Sequence, residues 1–184
     1  MSLKYRITDQ QGINFLTCTT VGWIDIFTRP VYKDIIIDSL KFCREKKGLL
    51  LHGFVLMPNH LHLIASAQSG HYLSDILRDF KKYTSVEIKK YLNDYQNPES
   101  RREWMNSIFG LAGKDNPANK EFQLWKHDNH PIALYSIEII KQKLEYIHLN
   151  PVRSCFVAVP EHWLYSSATN YAGLESIMEI DYLW

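Results

Sequence analysis

The sequence has few cysteines, no long apolar run and no excess of charge of one sign. The three cysteines, Cys18, Cys43 and Cys155, are odd in number, far apart and without C-x-x-C spacing. This pattern argues against a disulfide framework and a cysteine zinc site, and it favours a reducing, cytoplasmic compartment. No apolar run reaches the roughly 18 residues that a membrane span needs, so we expect no membrane partner. The net charge of +1 means that any nucleic-acid surface must be local.

The chain does have the composition of a folded domain. Of its 184 residues, 46% are hydrophobic and 22% are charged. This balance excludes disorder as the main state, and the length suits one domain over residues 1–184.

Hydrophobic periodicity predicts alternating strands and helices. Short runs rich in β-forming residues predict strands at 14–20, 49–57 and 60–66 and a short extended piece at 122–125. Apolar residues at helical spacing predict helices at 31–47, 74–92, 99–111 and 136–148. A loop is expected at 113–119 and a mostly irregular tail at 160–184. Ser74 and Ser136 are the predicted caps of their helices. The order predicts an α+β fold, an antiparallel sheet with helices on one face.

The sharpest chemical feature is the segment M-P-N-H-L-H-L-I, which contains His60 and His62. Residues i and i+2 of a strand point to the same face, about 7 Å apart. Two such imidazoles can hold a divalent metal. They can equally be half-buried structural residues, because chance alone gives about 0.3 H-x-H pairs in a chain with eight histidines.

Two further segments accompany this one, L-E-Y-I-H-L-N-P-V-R at 144–153 and W-L-Y-S-S-A at 163–168. Together the three segments resemble the HUH transposases with a single tyrosine, in particular the branch of REP-associated tyrosine transposases. The resemblance implies a ferredoxin-like fold with extra C-terminal helices, a homodimer, and binding of single-stranded or hairpin DNA. It also implies that His60 and His62 bind Mg²⁺ or Mn²⁺, which polarises the scissile phosphate. A tyrosine on a later helix would attack the phosphorus and form a 5′-phosphotyrosine intermediate.

The sequence departs from the family at that tyrosine. The family places it four residues after a tryptophan, and here the fourth residue after Trp125 is Asn129. An amide cannot replace a phenolate, so three alternatives stay open. Tyr135 serves instead, metal-bound water is the nucleophile, or the protein binds DNA without strand transfer. Tyr135 could also simply pack at the entry to its helix, and His130 is a candidate third metal ligand.

Basic residues give a candidate DNA surface. The densest cluster lies on the predicted helix 74–92, and the N-P-V-R match adds one more arginine; the candidates are Arg78, Lys81, Lys82, Lys89, Lys90 and Arg153. Each would contribute salt-dependent, sequence-independent affinity for phosphates, although a solvated helix face has the same pattern. The sequence thus predicts a metal-dependent DNA transposase or endonuclease-like protein acting by transesterification. The alternative is a non-catalytic DNA-binding or regulatory protein derived from one.

Overall fold

The structure, a computed structural model, describes residues 6–114 and 121–184. Its elements along the chain are β1 (Asn14–Thr19), α1 (Pro30–Lys46), β2 (Leu49–Leu56), β3 (His60–Ala67), α2 (Leu73–Asn93), α3 (Arg102–Lys114), β4 (Ile132–Ala133), α4 (Ile137–His148), α5 (Asn150–Arg153) and α6 (Ala168–Tyr171). The loop predicted for 113–119 lies mostly outside the described residues, and its first residue, Gly113, belongs to α3. None of the helices in the described part of the chain is long and apolar enough to span a membrane.

The four strands form one antiparallel sheet in the order β2-β3-β1-β4. The chain reaches this order through two strand–helix–strand units, β1-α1-β2 and β3-α2-β4, with α3 inserted before β4. The predicted α+β class and antiparallel sheet are therefore confirmed. The sheet places β3, which carries the histidine pair, in the centre next to β1.

The two faces of the sheet pack against different helices. Alternate residues of β1 and β3, such as Leu16, Cys18 and Leu63, join α1 and α2 in the larger core. The other face carries Phe15 and Ile64, which pack with residues of α4 in a second, smaller core. Helices α1 and α2 thus cover one face, as expected, and the later helix α4 covers the opposite one. Since His60 and His62 are in step with Ile64, they lie on the α4 face.

A glycine allows α4 to approach the sheet closely. A Cβ at Gly53 of β2 would lie 2.6 Å from Leu144 Cδ2 and 3.3 Å from Ile147 Cδ1. Any larger residue at this position would displace the side chains of α4. Gly53 thus fixes how near α4 lies to the strands of the histidine pair.

The C-terminal segment covers the outer edge of β2. Leu56 N donates to Tyr165 O and Ser167 N donates to Phe54 O, both at 2.9 Å. Further along the strand, Asp181 N donates to Leu51 O at 2.8 Å. A long apolar edge strand such as β2 could pair with a second copy across a two-fold axis, but this edge is occupied by the chain itself. A dimer cannot form by that pairing without displacing the tail.

Candidate functional site

His60 and His62 lie side by side on β3, as the sequence predicted. Their ring centroids are 4.7 Å apart and the ring planes are inclined by 73°. His62 is buried, and His60 is partly exposed at the start of the strand. We refer to these two residues as the histidine pair.

Hydrogen bonds hold one nitrogen of each ring. Thr17 is directly opposite His62 in the β1–β3 ladder, and its Oγ1 lies 2.9 Å from His62 Nδ1. Asn59 Oδ1 accepts from His60 Nδ1 at 2.7 Å. The amide of Asn59 is oriented in turn, because its Nδ2 donates to Asp25 Oδ1 at 2.7 Å. This network puts the proton of His60 on Nδ1 and leaves Nε2 with a lone pair.

Both rings are neutral near pH 7. Burial lowers the pKa of His60 to about 4, against the opposing charge of Asp25. Burial also lowers the pKa of His62 to about 3, and the neighbouring charges of His60 and Lys143 lower it further. Neutral imidazole is the form that binds metals, so the pair is in the required state.

The pair fits two ligand positions of a divalent cation. Each ring has Nδ1 in a hydrogen bond, which leaves Nε2 as the candidate donor. Within residues 6–114 and 121–184, no three His, Cys, Asp or Glu side chains come together as a metal cluster. The structure therefore does not group His130 with the pair. His130 is exposed, with a left-handed backbone φ of 42°.

Aromatic side chains surround the pair. Phe15 stacks on His62 with centroids 5.2 Å apart, and Tyr146 of α4 meets His62 edge-on at 5.6 Å. On the other side, Trp23 meets His60 edge-on at 6.0 Å. Tyr146 is the tyrosine that α4 brings to the pair, and 40% of it is exposed. Its sequence signal was its place in the Y-I-x-x-N-P-V-R block.

Cations flank both ends of this aromatic group. Lys143 Nζ lies 4.9 Å from the Phe15 ring centroid, and Arg153 Cζ lies 5.6 Å from that of Tyr146. At the opposite end, Lys126 Nζ is 4.7 Å from the centroid of Trp23. Sequence reasoning singled out Arg153 but not Lys126 or Lys143, because isolated lysines carry no pattern.

Asn129, at the expected nucleophile position, has its amide turned away from the pair. Its backbone carbonyl accepts from Thr17 N at 2.7 Å. Because Thr17 is itself opposite His62, Asn129 lies two strand spacings, or about 10 Å, from His62. Its Oδ1 lies 3.6 Å from Cys18 Sγ. Because Cys18 faces the core under α1 and α2, the amide points to the sheet face opposite the histidines.

Tyr135 lies at the far end of the sheet. It is 80% exposed and follows β4, whose Ala133 pairs with Asn14, itself opposite Ala65. This register separates Tyr135 from His62 by on the order of 15 Å along the strands. The structure therefore does not bring Tyr135 to the histidine pair.

Most of the predicted cations on α2 have partners within the protein. Lys81 is partly buried and donates to Lys126 O at 2.8 Å, and burial lowers its pKa. Lys81 therefore anchors the segment beside β1 rather than offering a free charge. The other paired cations form ion pairs, which join Arg78 to Asp75 and Asp79, Lys89 to Glu121, and Lys90 to Glu87. Lys82 is exposed.

One protein family and two solved structures are similar to this chain. The family model described as "Transposase IS200 like" matches residues 23–117, about half of the chain. No curated protein matches significantly. Among solved structures, a REP-associated tyrosine transposase bound to a REP hairpin is similar over 100% of this chain and 92% of that one, with 17% identity and a TM-score of 0.66. A candidate transposase from Deinococcus radiodurans matches over 80% of this chain and 95% of its own, with 20% identity and a TM-score of 0.45.

Proposed function

The chain belongs to the IS200-like transposase family, and from this premise we propose that it cleaves and transfers strands of single-stranded or hairpin DNA at the histidine pair. The observation that carries the proposal is the pair itself. Two neutral imidazoles share one face of β3, and each is oriented by a hydrogen bond at Nδ1. The hairpin DNA in the similar REP-associated structure supports the choice of substrate class.

The pair would bind Mg²⁺ or Mn²⁺ through Nε2 of each ring. When bound, the cation acts as a Lewis acid on the scissile phosphate. Thr17 and Asn59 fix the ring orientations, and burial keeps both rings neutral. Lys126, Lys143 and Arg153 attract the DNA backbone to the pair.

We assign the attacking oxygen to Tyr146, because its ring contacts His62 whereas Tyr135 lies at the other end of the sheet. The phenolic oxygen forms a bond to phosphorus and releases its proton to solvent. The bond between phosphorus and the 3′ oxygen breaks, and that oxygen takes a proton as it leaves. Rejoining reverses these steps with the 3′ oxygen of another strand.

A nicking assay tests the proposal. Wild-type protein with Mn²⁺ and hairpins that carry single-stranded tails should yield nicked DNA. His60→Ala and His62→Ala should abolish nicking. His71→Ala is the matched control, since His71 is exposed and lies beyond the opposite end of β3 from His60, and it should nick as the wild type does. Absence of nicking by wild-type protein on every tail tested would contradict the catalytic proposal.

One observation favours a second function, DNA binding without strand transfer. Asn129 replaces the family's tyrosine and its amide contacts Cys18 rather than the pair. Under this alternative the protein binds the same hairpins with comparable affinity whether or not Mn²⁺ is present, and it forms no covalent product.

The family resemblance also implies a homodimer. Because the C-terminal segment covers the β2 edge, such a dimer would use another surface. The proposed chemistry needs only residues of one chain, since the pair and Tyr146 are in contact within it.

A further inference from the structure

A large aromatic side chain is exposed beside the histidine pair. Trp23 is 55% exposed, although tryptophan is on average a highly buried residue. Its indole meets the His60 ring at 6.0 Å with the planes inclined by 73°. Packing against His60 therefore uses only part of its surface.

The backbone holds this indole in an uncommon conformation. Trp23 has a φ of 56° and follows Gly22 with a φ of 64°, and left-handed φ values are rare for bulky residues. Two hydrogen bonds hold it, from Trp23 N to Thr20 O at 3.2 Å and from Asn59 Nδ2 to Trp23 O at 3.3 Å. The same Asn59 amide orients His60. The position of the indole is thus tied to that of a residue of the pair.

A cation accompanies the ring. Lys126 Nζ lies 4.7 Å from the Trp23 centroid. The main chain of Lys126 is fixed at both of its polar groups, since its N donates to Thr19 O at 2.7 Å and its O accepts from Lys81 Nζ at 2.8 Å. An aromatic face next to a positioned cation is the combination with which proteins bind single-stranded nucleic acid.

We propose that Trp23 is a stacking platform for one unpaired nucleobase next to the phosphate at the histidine pair, with Lys126 contacting the adjoining backbone phosphate. The inference rests on the proposed function, because it takes the ligand to be a DNA strand at the pair. Stacking on an indole is tolerant of base identity, since every base has a π-face. The platform would therefore position the strand rather than read its sequence.

Binding measurements on stacking variants test the proposal. The probes are oligo(dT) and a hairpin with an oligo(dT) tail. Trp23→Ala should weaken binding of both by about 5- to 150-fold, the range of losses found when one stacked base loses its aromatic partner, and Trp23→Phe should retain most of the affinity. Trp104→Ala is the matched control, because Trp104 of α3 is 52% exposed, and it should bind as the wild type does.

Salt dependence separates stacking from charge. Trp23→Ala should leave the slope of log affinity against log salt unchanged, whereas Lys126→Ala should reduce its magnitude by about one. Equal slopes for the wild type and Lys126→Ala would overturn the phosphate contact.

A scan in which single tail positions are made abasic tests the platform on the wild-type protein, so this part of the test does not depend on whether the variants fold. One abasic position in the tail should weaken wild-type binding, and at that position Trp23→Ala should cause no further loss. If no abasic position weakens binding more than the others, or if Trp23→Ala and Trp104→Ala bind equally well, the stacking platform is overturned. The nicking assay would still test the proposed function separately. If wild-type protein binds neither probe, both proposals fail.

Discussion

At the scale of single residues, the hydrogen bonds at the two Nδ1 atoms determine which nitrogens would face the proposed metal. Thr17 acts on His62, and the relay from Asp25 through Asn59 acts on His60. Such outer partners typically change metal affinity 10- to 100-fold when they are removed. The consequences can be tested one side chain at a time.

Thr17→Val should weaken Mn²⁺ binding by roughly 10-fold or more, because valine keeps the shape of threonine but cannot hold His62 Nδ1. Thr17→Ser keeps the hydroxyl and should bind Mn²⁺ nearly as the wild type does. Calorimetric titration of the two variants with Mn²⁺ measures the difference. Equal affinities would show that the hydroxyl does not orient His62.

The free energy of unfolding should depend on pH through His148, a histidine outside the pair. Burial lowers the pKa of His148 from its ordinary 6.5 to about 4, with the charge of Glu161 opposing, and its Nε2 lies 2.8 Å from Ser167 Oγ. The unfolded chain therefore binds a proton more readily than the folded one. The contribution of neutral His148 to the free energy of unfolding is therefore complete above pH 6.5. It is lost as the pH falls towards 4, and the loss through this group is at most about 3 kcal/mol.

His148→Gln should therefore flatten the decline of the free energy of unfolding between pH 6.5 and 4. Urea denaturation at several pH values measures it. A decline as steep as that of wild-type protein would mean that the imidazole of His148 is not what titrates. His60 and His62 have lowered pKa values as well, so some acid sensitivity should persist in the variant.

At the scale of elements, the position of α4 depends on one glycine. Gly53→Val should destabilise the protein by about 1–3 kcal/mol, because the added carbons meet Leu144 and Ile147 of α4. It should also reduce nicking more than Mn²⁺ binding, since Tyr146 moves with α4 while the histidines stay on β3. Urea denaturation and the nicking assay measure the two effects.

Gly110→Ala in α3 is the control for this variant. A Cβ there would have only ordinary contact, 3.8 Å from Glu121 O, and alanine suits a helix interior better than glycine does. We expect unchanged or slightly raised stability. A Gly53→Val protein as stable as Gly110→Ala would contradict the close approach of α4.

Local sequence patterns predicted the elements in which the hydrophobic pattern extends over many residues. The period of two on β3 placed the histidine pair on one face, and Ser136 caps α4 as expected, with its side chain accepting from Ile139 N. Ser74 does not cap α2. The helix begins at Leu73, and Gln10, distant in sequence, accepts from Ser74 N at 3.0 Å. A cap supplied from so far along the chain leaves no local pattern.

The rest of the site depends on tertiary packing. Strand β4 has only two residues, too few to show a period. The face of the sheet that α4 covers cannot be inferred from its own amphipathic pattern, so the contact of Tyr146 with His62 was not predictable. The tail is mostly irregular, as predicted, although it includes the short helix α6. Its hydrogen bonds to β2 depend on a partner more than a hundred residues away.

At the scale of the whole molecule, the tail protects an open sheet edge. Asp181 is central to this cover, because its carboxylate accepts from Leu51 N at 2.8 Å and pairs with Arg44 at 3.1 Å. Unpaired strand edges promote self-association. The intact tail should therefore keep β2 from pairing with other molecules.

Asp181→Ala should lower the free energy of unfolding by about 1–3 kcal/mol, because Leu51 N and Arg44 lose their partner. It should also increase self-association at high protein concentration. Glu179→Ala, at an exposed position of the same tail, should do neither. Light scattering coupled to gel filtration compares the three proteins, and indistinguishable masses and stabilities would contradict the role of Asp181.

The most direct test of the central claim is a peptide map of a protein–DNA adduct. Wild-type protein is incubated with Mn²⁺ and a hairpin with a short single-stranded tail, so that the fragment with the free 3′ hydroxyl diffuses away after cleavage. The trapped covalent product is then digested for mass spectrometry. The account predicts a phosphotyrosine-linked oligonucleotide on Tyr146, absent from Tyr146→Phe and His62→Ala and retained in Tyr135→Phe. An adduct on Tyr135, or tight DNA binding with no adduct on any tyrosine, would contradict it.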